Sequence, residues 1–336
     1  MENLFDYATK ELSQDAFLRW LFQSYDDPVV GEVSNCLLGE FCHFQDGEKV
    51  GSLHTEAQKN KIDISAWITT TLGRKIALFI EDKTFSNEHH QLETYDSYID
   101  RINDHAIYKV FYKINVIDSE EKSRIEKANE KNKVRWVVYD IEGLYSFFGK
   151  HKESENMILS QYAEHVEKIY NAVKNTKKPQ TNDTTVDFLK WQAYFTNIII
   201  PALKGCGTSF MCGSWKAGQY PYVVLYVKKL GYGQRKIPYL EIQSRDCVKD
   251  SFKAKILCYN IEIEDVWQQQ VLMDNIKANP AFECKKIRMK KRGVENYFPK
   301  QVGYSPDGLN AATDEAFIAL VEKYIAGYLD VMKDWK

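Results

Sequence analysis

The chain has 336 residues, 44% of them apolar and 27% charged, and 45 Lys and Arg against 47 Asp and Glu leave a net charge of −2. That balance excludes a chain disordered by composition. No apolar run approaches the roughly 20 residues of a membrane-spanning helix, and the length suits two domains or one large one.

In chain order, the opening "MENLFDYATKELSQD" is acidic and amphipathic and lacks the basic start and apolar core of a signal peptide, so a cytoplasmic location is expected. Leu4, Phe5, Ala8, Leu12, Ala16, Phe17, Trp20 and Leu21 recur at helical spacing and predict a helix over 4–24. Residues 25–60 are mixed and give no clear element. "KIDISAWITTTLGRKIALFIEDK" reads as two strands around a turn at Gly73. A helix is predicted over 87–104, strands over 106–116 and 134–140, a solvated loop or short helix between those strands, and an amphipathic helix over 154–174. The polar stretch "KNTKKPQTNDTT" (174–185), with its proline, is the best linker. Beyond it, a helix (186–204), strands in 209–218, 220–230 and 235–243, a helix (262–278), a strand (282–291) and a last helix (311–333) are predicted. The first half is therefore expected to be an α/β domain over 1–175, and residues 186–336 an α+β domain built on an antiparallel meander.

The seven cysteines, Cys36, Cys42, Cys206, Cys212, Cys247, Cys258 and Cys284, are scattered and form no C-x-x-C pair. They read as free thiols, which argues against a zinc site.

The chemistry concentrates at the end of one strand. Side chains alternate, so Glu81 and Lys83 share a face and Asp82 points away. With Thr71-Leu72-Gly73 as a three-residue hairpin loop and Gly73 left-handed, Thr70 pairs with Arg74 and Asp63 falls opposite Glu81. Two carboxylates across a strand pair repel, and a cation between them would offset that cost. Mg²⁺ takes oxygen ligands of this kind, one or two carboxylates completed by water and phosphate, and a lysine beside it can orient the attacking water or steady charge on the phosphate. Glu11, with Asp15 one turn on, lies on the border of the first helix's apolar face and offers a third acid. The bland reading of Glu81 and Lys83 alone is a solvated strand end.

Asp63 followed, 18 positions later, by Glu81-x-Lys83 resembles the D…(D/E)-x-K signature of the PD-(D/E)XK nuclease superfamily. Ile62 stands where that signature has proline. "ELSQDAFLRWLF" resembles the N-terminal helix of one branch, with the match on Glu11, and "HHQLETY" resembles a Q-x-x-x-Y element, giving Gln91 and Tyr95. The resemblance covers about residues 1–150. It implies a restriction-endonuclease-like mixed sheet flanked by helices and Mg²⁺- or Mn²⁺-dependent hydrolysis of phosphodiester bonds. Asp63 and Glu81 would bind the metal, with the Asp82 main-chain carbonyl as a further ligand. Glu11 would support it, Lys83 would position the water, and Gln91 and Tyr95 would hold Lys83 or a phosphate. It also implies nucleic acid as substrate, DNA ahead of RNA.

Charge adds a second candidate region. Residues 181–336 carry 22 Lys and Arg against 17 Asp and Glu, a net of +5. "CKKIRMKKRG" would place Lys286, Arg288 and Lys290 on one strand face, with Arg292 close by. "KKLGYGQRK" reads as a basic hairpin tip with Arg235 and Tyr232. Both suit a phosphate backbone, and both are equally explained as solvated surface. Alternatives of other classes are a weakly catalytic or non-catalytic binding or assembly module on the same fold, and a small-molecule phosphodiesterase. A homodimer or a protein partner held through the C-terminal half is a further expectation.

Overall fold

The computed structural model describes residues 3–7, 11–84, 91–117, 119–130, 132–174, 190, 193–202, 208–214, 221–227, 239–246, 251–257, 274–275, 278–280, 314–331 and 333. The chain divides into two compact units, Met1–Asn171 and Ala172–Lys336. Each is described by itself.

The first unit is an α/β arrangement around a mixed five-stranded sheet of order β1-β2-β3-β4-β5. The strands are β1 (Val50–Ala57), β2 (Ile64–Thr70), β3 (Lys75–Lys83), β4 (Ala106–Lys113) and β5 (Trp136–Tyr139). β1, β2 and β3 pair antiparallel, whereas β3, β4 and β5 run parallel. Parallel neighbours need crossovers. These contain α4 (Gln91–Ile99) and α5 (Ser119–Glu130).

β3 is the middle strand, and every residue of it except Lys75 is buried. Its odd-numbered positions, Ala77 and Phe79, pack with Phe111 and Trp136 under Leu92, Tyr95 and Ile99 of α4 and Ile125 and Ala128 of α5. Its even-numbered positions, Ile76, Leu78 and Ile80, are equally buried. They lie on the opposite side, toward α2 (Glu11–Gln23) and α3 (Gly31–Cys42). Continuous burial of both faces is what a central strand requires.

Within the first predicted helix, the described residues form α1 (Leu4–Tyr7) and α2, and the face α2 buries differs from the expectation. Leu12 is 59% exposed, while Gln14 and Asp15 are each 5% exposed and lie on the buried side with Leu18, Leu21 and Phe22. α3 and β1 fill the stretch the sequence left without elements. The charged segment before β5 is the helix α5. Another helix, α6 (Ile141–Phe148), follows β5 at once, its start capped by the Asp140 side chain accepting from the Glu142 and Gly143 amides. The amphipathic helix of 154–174 is α7 (Met157–Lys174), whose Tyr162 stacks on Phe17 with ring centres 3.7 Å apart.

The hairpin between β2 and β3 has the expected register. Thr70 N donates to Arg74 O, Gly73 N donates to Thr70 O, and Gly73 has φ +81°. Ile64 pairs with Ile80 and Thr69 with Lys75.

In the second unit, β6 (Thr208–Ser214), β7 (Pro221–Val227), β8 (Tyr239–Asp246) and β9 (Ser251–Leu257) form an antiparallel meander. A helical segment covers Phe195–Ile199 and Ile200–Ala202, and α8 spans Asp314–Val331. The fourth strand, β9, was not predicted. Lys286, Arg288, Lys290, Arg292, Arg235 and Tyr232 lie outside the described residues. Among the described residues no helix is long and apolar enough to cross a membrane.

Candidate functional site

The site is built where the β2–β3 ladder stops. Ile64↔Ile80 is the last pair, and the chain before it, Gln58–Ile62, turns through residues with positive φ. Asp63 therefore sits one residue outside β2, beside the still-extended end of β3. Its carboxylate replaces a strand partner: the Asp82 amide donates to Asp63 Oδ2 at 2.9 Å.

Glu81 and Lys83 lie on the face covered by α4 and α5. Lys83 Nζ is 2.5 Å from Glu81 Oε1 and 3.9 Å from Asp63 Oδ2, so both carboxylates address one ammonium. The close Lys83 ammonium favours the ionised form of Glu81 by its charge and by direct contact. The three differ in access. The Glu81 side chain is 0% exposed, that of Lys83 6% and that of Asp63 21%. Burial pushes the Glu81 carboxyl up to about 8; the Lys83 charge pulls it back, and the Asp63 charge adds to the rise.

Asp82 faces the other way. Gln14 Nε2 donates to its Oδ1, and its carboxyl is raised well above the usual range by burial first and by the neighbouring Asp15 charge second. Asp15, the acid one turn beyond Glu11, is thus placed with Asp82 on the side away from Glu81. Glu11 begins α2, and its side chain lies outside the described residues. Tyr95 is buried in the core beneath α4, with its ring 6.3 Å from that of Trp136. Gln91 opens the same helix and is half-buried.

Sequence reasoning missed two buried lysines on the Glu81 face. Lys113 pairs in register with Lys83 across β3–β4 and holds both Glu121 oxygens at 2.9 and 2.7 Å, with both side chains 0% exposed. Lys109 donates to Asp96 at 2.5 Å, and Asp96 also accepts from Asn132 and from the Trp136 indole. The available signal was the spacing Lys109, Phe111, Lys113, which puts both lysines on one strand face with a core phenylalanine.

As a donor set, Asp63 and Glu81 supply hard oxygens of the kind Mg²⁺ takes, and the desolvation borne by Glu81 is what a divalent cation would offset. Among the described residues no group of three or more His, Cys, Asp and Glu converges on one point. No family model, no curated protein and no solved structure matches this chain.

Proposed function

We propose that the first unit is a metal-dependent phosphodiesterase acting on nucleic acid, DNA ahead of RNA, with a restriction-endonuclease-like sheet. In the same reading the second unit is an α+β domain that contacts the substrate through its basic stretches, Lys286 to Arg292 and Arg235. One observation carries the proposal: Asp63 and Glu81, 18 positions apart in sequence, meet at a single lysine at the end of the central strand.

The roles follow from position and charge. Glu81, fixed by a strand buried on both faces, and Asp63, fixed by the Asp82 amide, would hold Mg²⁺ or Mn²⁺, with the Asp82 main-chain carbonyl as a further oxygen ligand. The metal, when bound, supplies charge neutralisation at the phosphate and a more acidic bound water. Lys83 balances the carboxylates and is placed to orient a water or to stabilise charge building on a phosphate oxygen. Asp63 is the member within reach of solvent, so substrate would approach along its edge. Gln91 is near enough in sequence to brace this end of β3, while the burial of Tyr95 favours packing for that residue. A non-catalytic binding module on the same fold is the second reading. The near-complete burial of Glu81 and Lys83 favours it.

Plasmid, linear and single-stranded DNA and RNA, each incubated with the purified protein in Mg²⁺, Mn²⁺ or EDTA, separate the readings. Cleavage should require the metal and fall by about 10³-fold or more in both Glu81→Gln and Lys83→Ala. Cleavage that survives both substitutions places the chemistry elsewhere. Metal-independent binding without cleavage of any polymer selects the binding module.

A further inference from the structure

The buried side of α2 spends two positions on polar groups, Gln14 and Asp15, while Leu12 of the same helix is 59% exposed. Burying polar groups is costly unless they are engaged, and both face Asp82. Gln14 donates to the Asp82 carboxyl, and Asp15 lies against it. The backbone of that same residue donates to Asp63 Oδ2 on the other side of the sheet. Asp63 itself stands outside the β2 ladder; its carbonyl accepts from the Gln58 amide, while its carboxylate is met by the Asp82 amide.

We infer that Gln14 is a positioning residue: by anchoring the Asp82 side chain from behind the sheet, it sets the peptide plane whose N–H aims the Asp63 carboxylate at Lys83. Helix α2 thereby helps to shape a site on the opposite face of β3 without touching it. The functional consequence rests on Asp63 being a ligand, as proposed above. The mechanical link does not.

Two measurements separate the link from that reading. Hydrogen exchange at the Asp82 amide, followed by NMR, reads the Asp63 contact directly. Titration with Mn²⁺ alone, followed by calorimetry, reads the site. Gln14→Leu and Asp82→Ala should speed exchange at Asp82 by about tenfold relative to the Ile80 amide and weaken Mn²⁺ binding by roughly 10-fold, the scale of lost support to a metal ligand. Asp82→Asn keeps an acceptor for Gln14 and should restore both to near the wild-type values, a rescue that a merely space-filling role would not require. Unchanged exchange in Gln14→Leu, or an Asp82→Asn no better than Asp82→Ala, overturns the inference. Should Asp82→Ala fail to fold, Gln14→Leu against Asp82→Asn carries the comparison. A wild-type protein that takes up no Mn²⁺, with exchange still accelerated in Gln14→Leu, upholds the link and sinks the metal site.

Discussion

Glu81 and Asp82 are sequence neighbours, both fully buried, and they face opposite sides of one strand with different company. On the Glu81 side the acid meets a lysine and a second acid that is partly open to solvent. On the Asp82 side the acid meets a glutamine and another aspartate beneath α2, and the hydroxyls of Tyr112 and Tyr162, 2.8 Å apart, complete a polar interior. Burial raises both carboxyls. What separates a candidate reaction centre from a structural polar cluster is the open edge at Asp63 together with an ammonium placed to balance charge.

The comparison can be broken most forcefully one strand away. Lys113 shares the face and the register of Lys83, yet it is sealed against Glu121. Removing one member of a buried ion pair typically costs about 3–5 kcal/mol, so Lys113→Met should lose about that much in urea unfolding, with Lys83→Met losing clearly less because burial already favours the neutral form of Glu81 and Asp63 reaches solvent. Equal losses would mean that the whole face is structural.

Next in size is the response to pH. Glu81 has a folded-state pKa raised to about 8. A raised carboxyl contributes stability that is fully present below the ordinary carboxylate range and is lost as pH rises through the folded value. The protein without added metal should therefore melt roughly 5–10 °C lower at pH 9 than at pH 5. Glu81→Gln should remove the part of that slope running from the ordinary carboxylate range up to about pH 8 and leave the part owed to Asp82. A melting temperature that is flat or rises over this window would show that neither acid is buried as described.

The smallest effect tests the register that brings the acids together. Gly73 has φ +81°, and a Cβ there would meet nothing within 4 Å, so the cost of Gly73→Ala is conformational alone, about 1 kcal/mol. Asn, which tolerates this conformation better, should cost less. A neutral Gly73→Ala would remove the support for the loop that sets Asp63 opposite Glu81.

Much of this was legible in the sequence, for identifiable reasons. The pattern around Gly73 fixed a loop length, and a loop length fixes which residues face each other. Alternation then separated Glu81 and Lys83 from Asp82. The role of α2 was not legible: its apolar residues suggested a face through Leu12 and Ala16, whereas the burial of Gln14 and Asp15 depends on Asp82, a contact across 68 positions. Lys113 was missed because its partner Glu121 lies in a segment so charged that it reads as solvent-facing. α3 and β1 escaped because neither carries a sustained period, and tertiary packing decides them.

The raised carboxyl of Glu81 has a last consequence. Burial makes Glu81 hold its proton to higher pH than an ordinary carboxylate does, and a cation that takes Glu81 as a ligand must displace that proton. Entry of the ion is then an exchange of one species for another. Below about pH 8 the ion's apparent affinity should fall by about tenfold for each unit of pH.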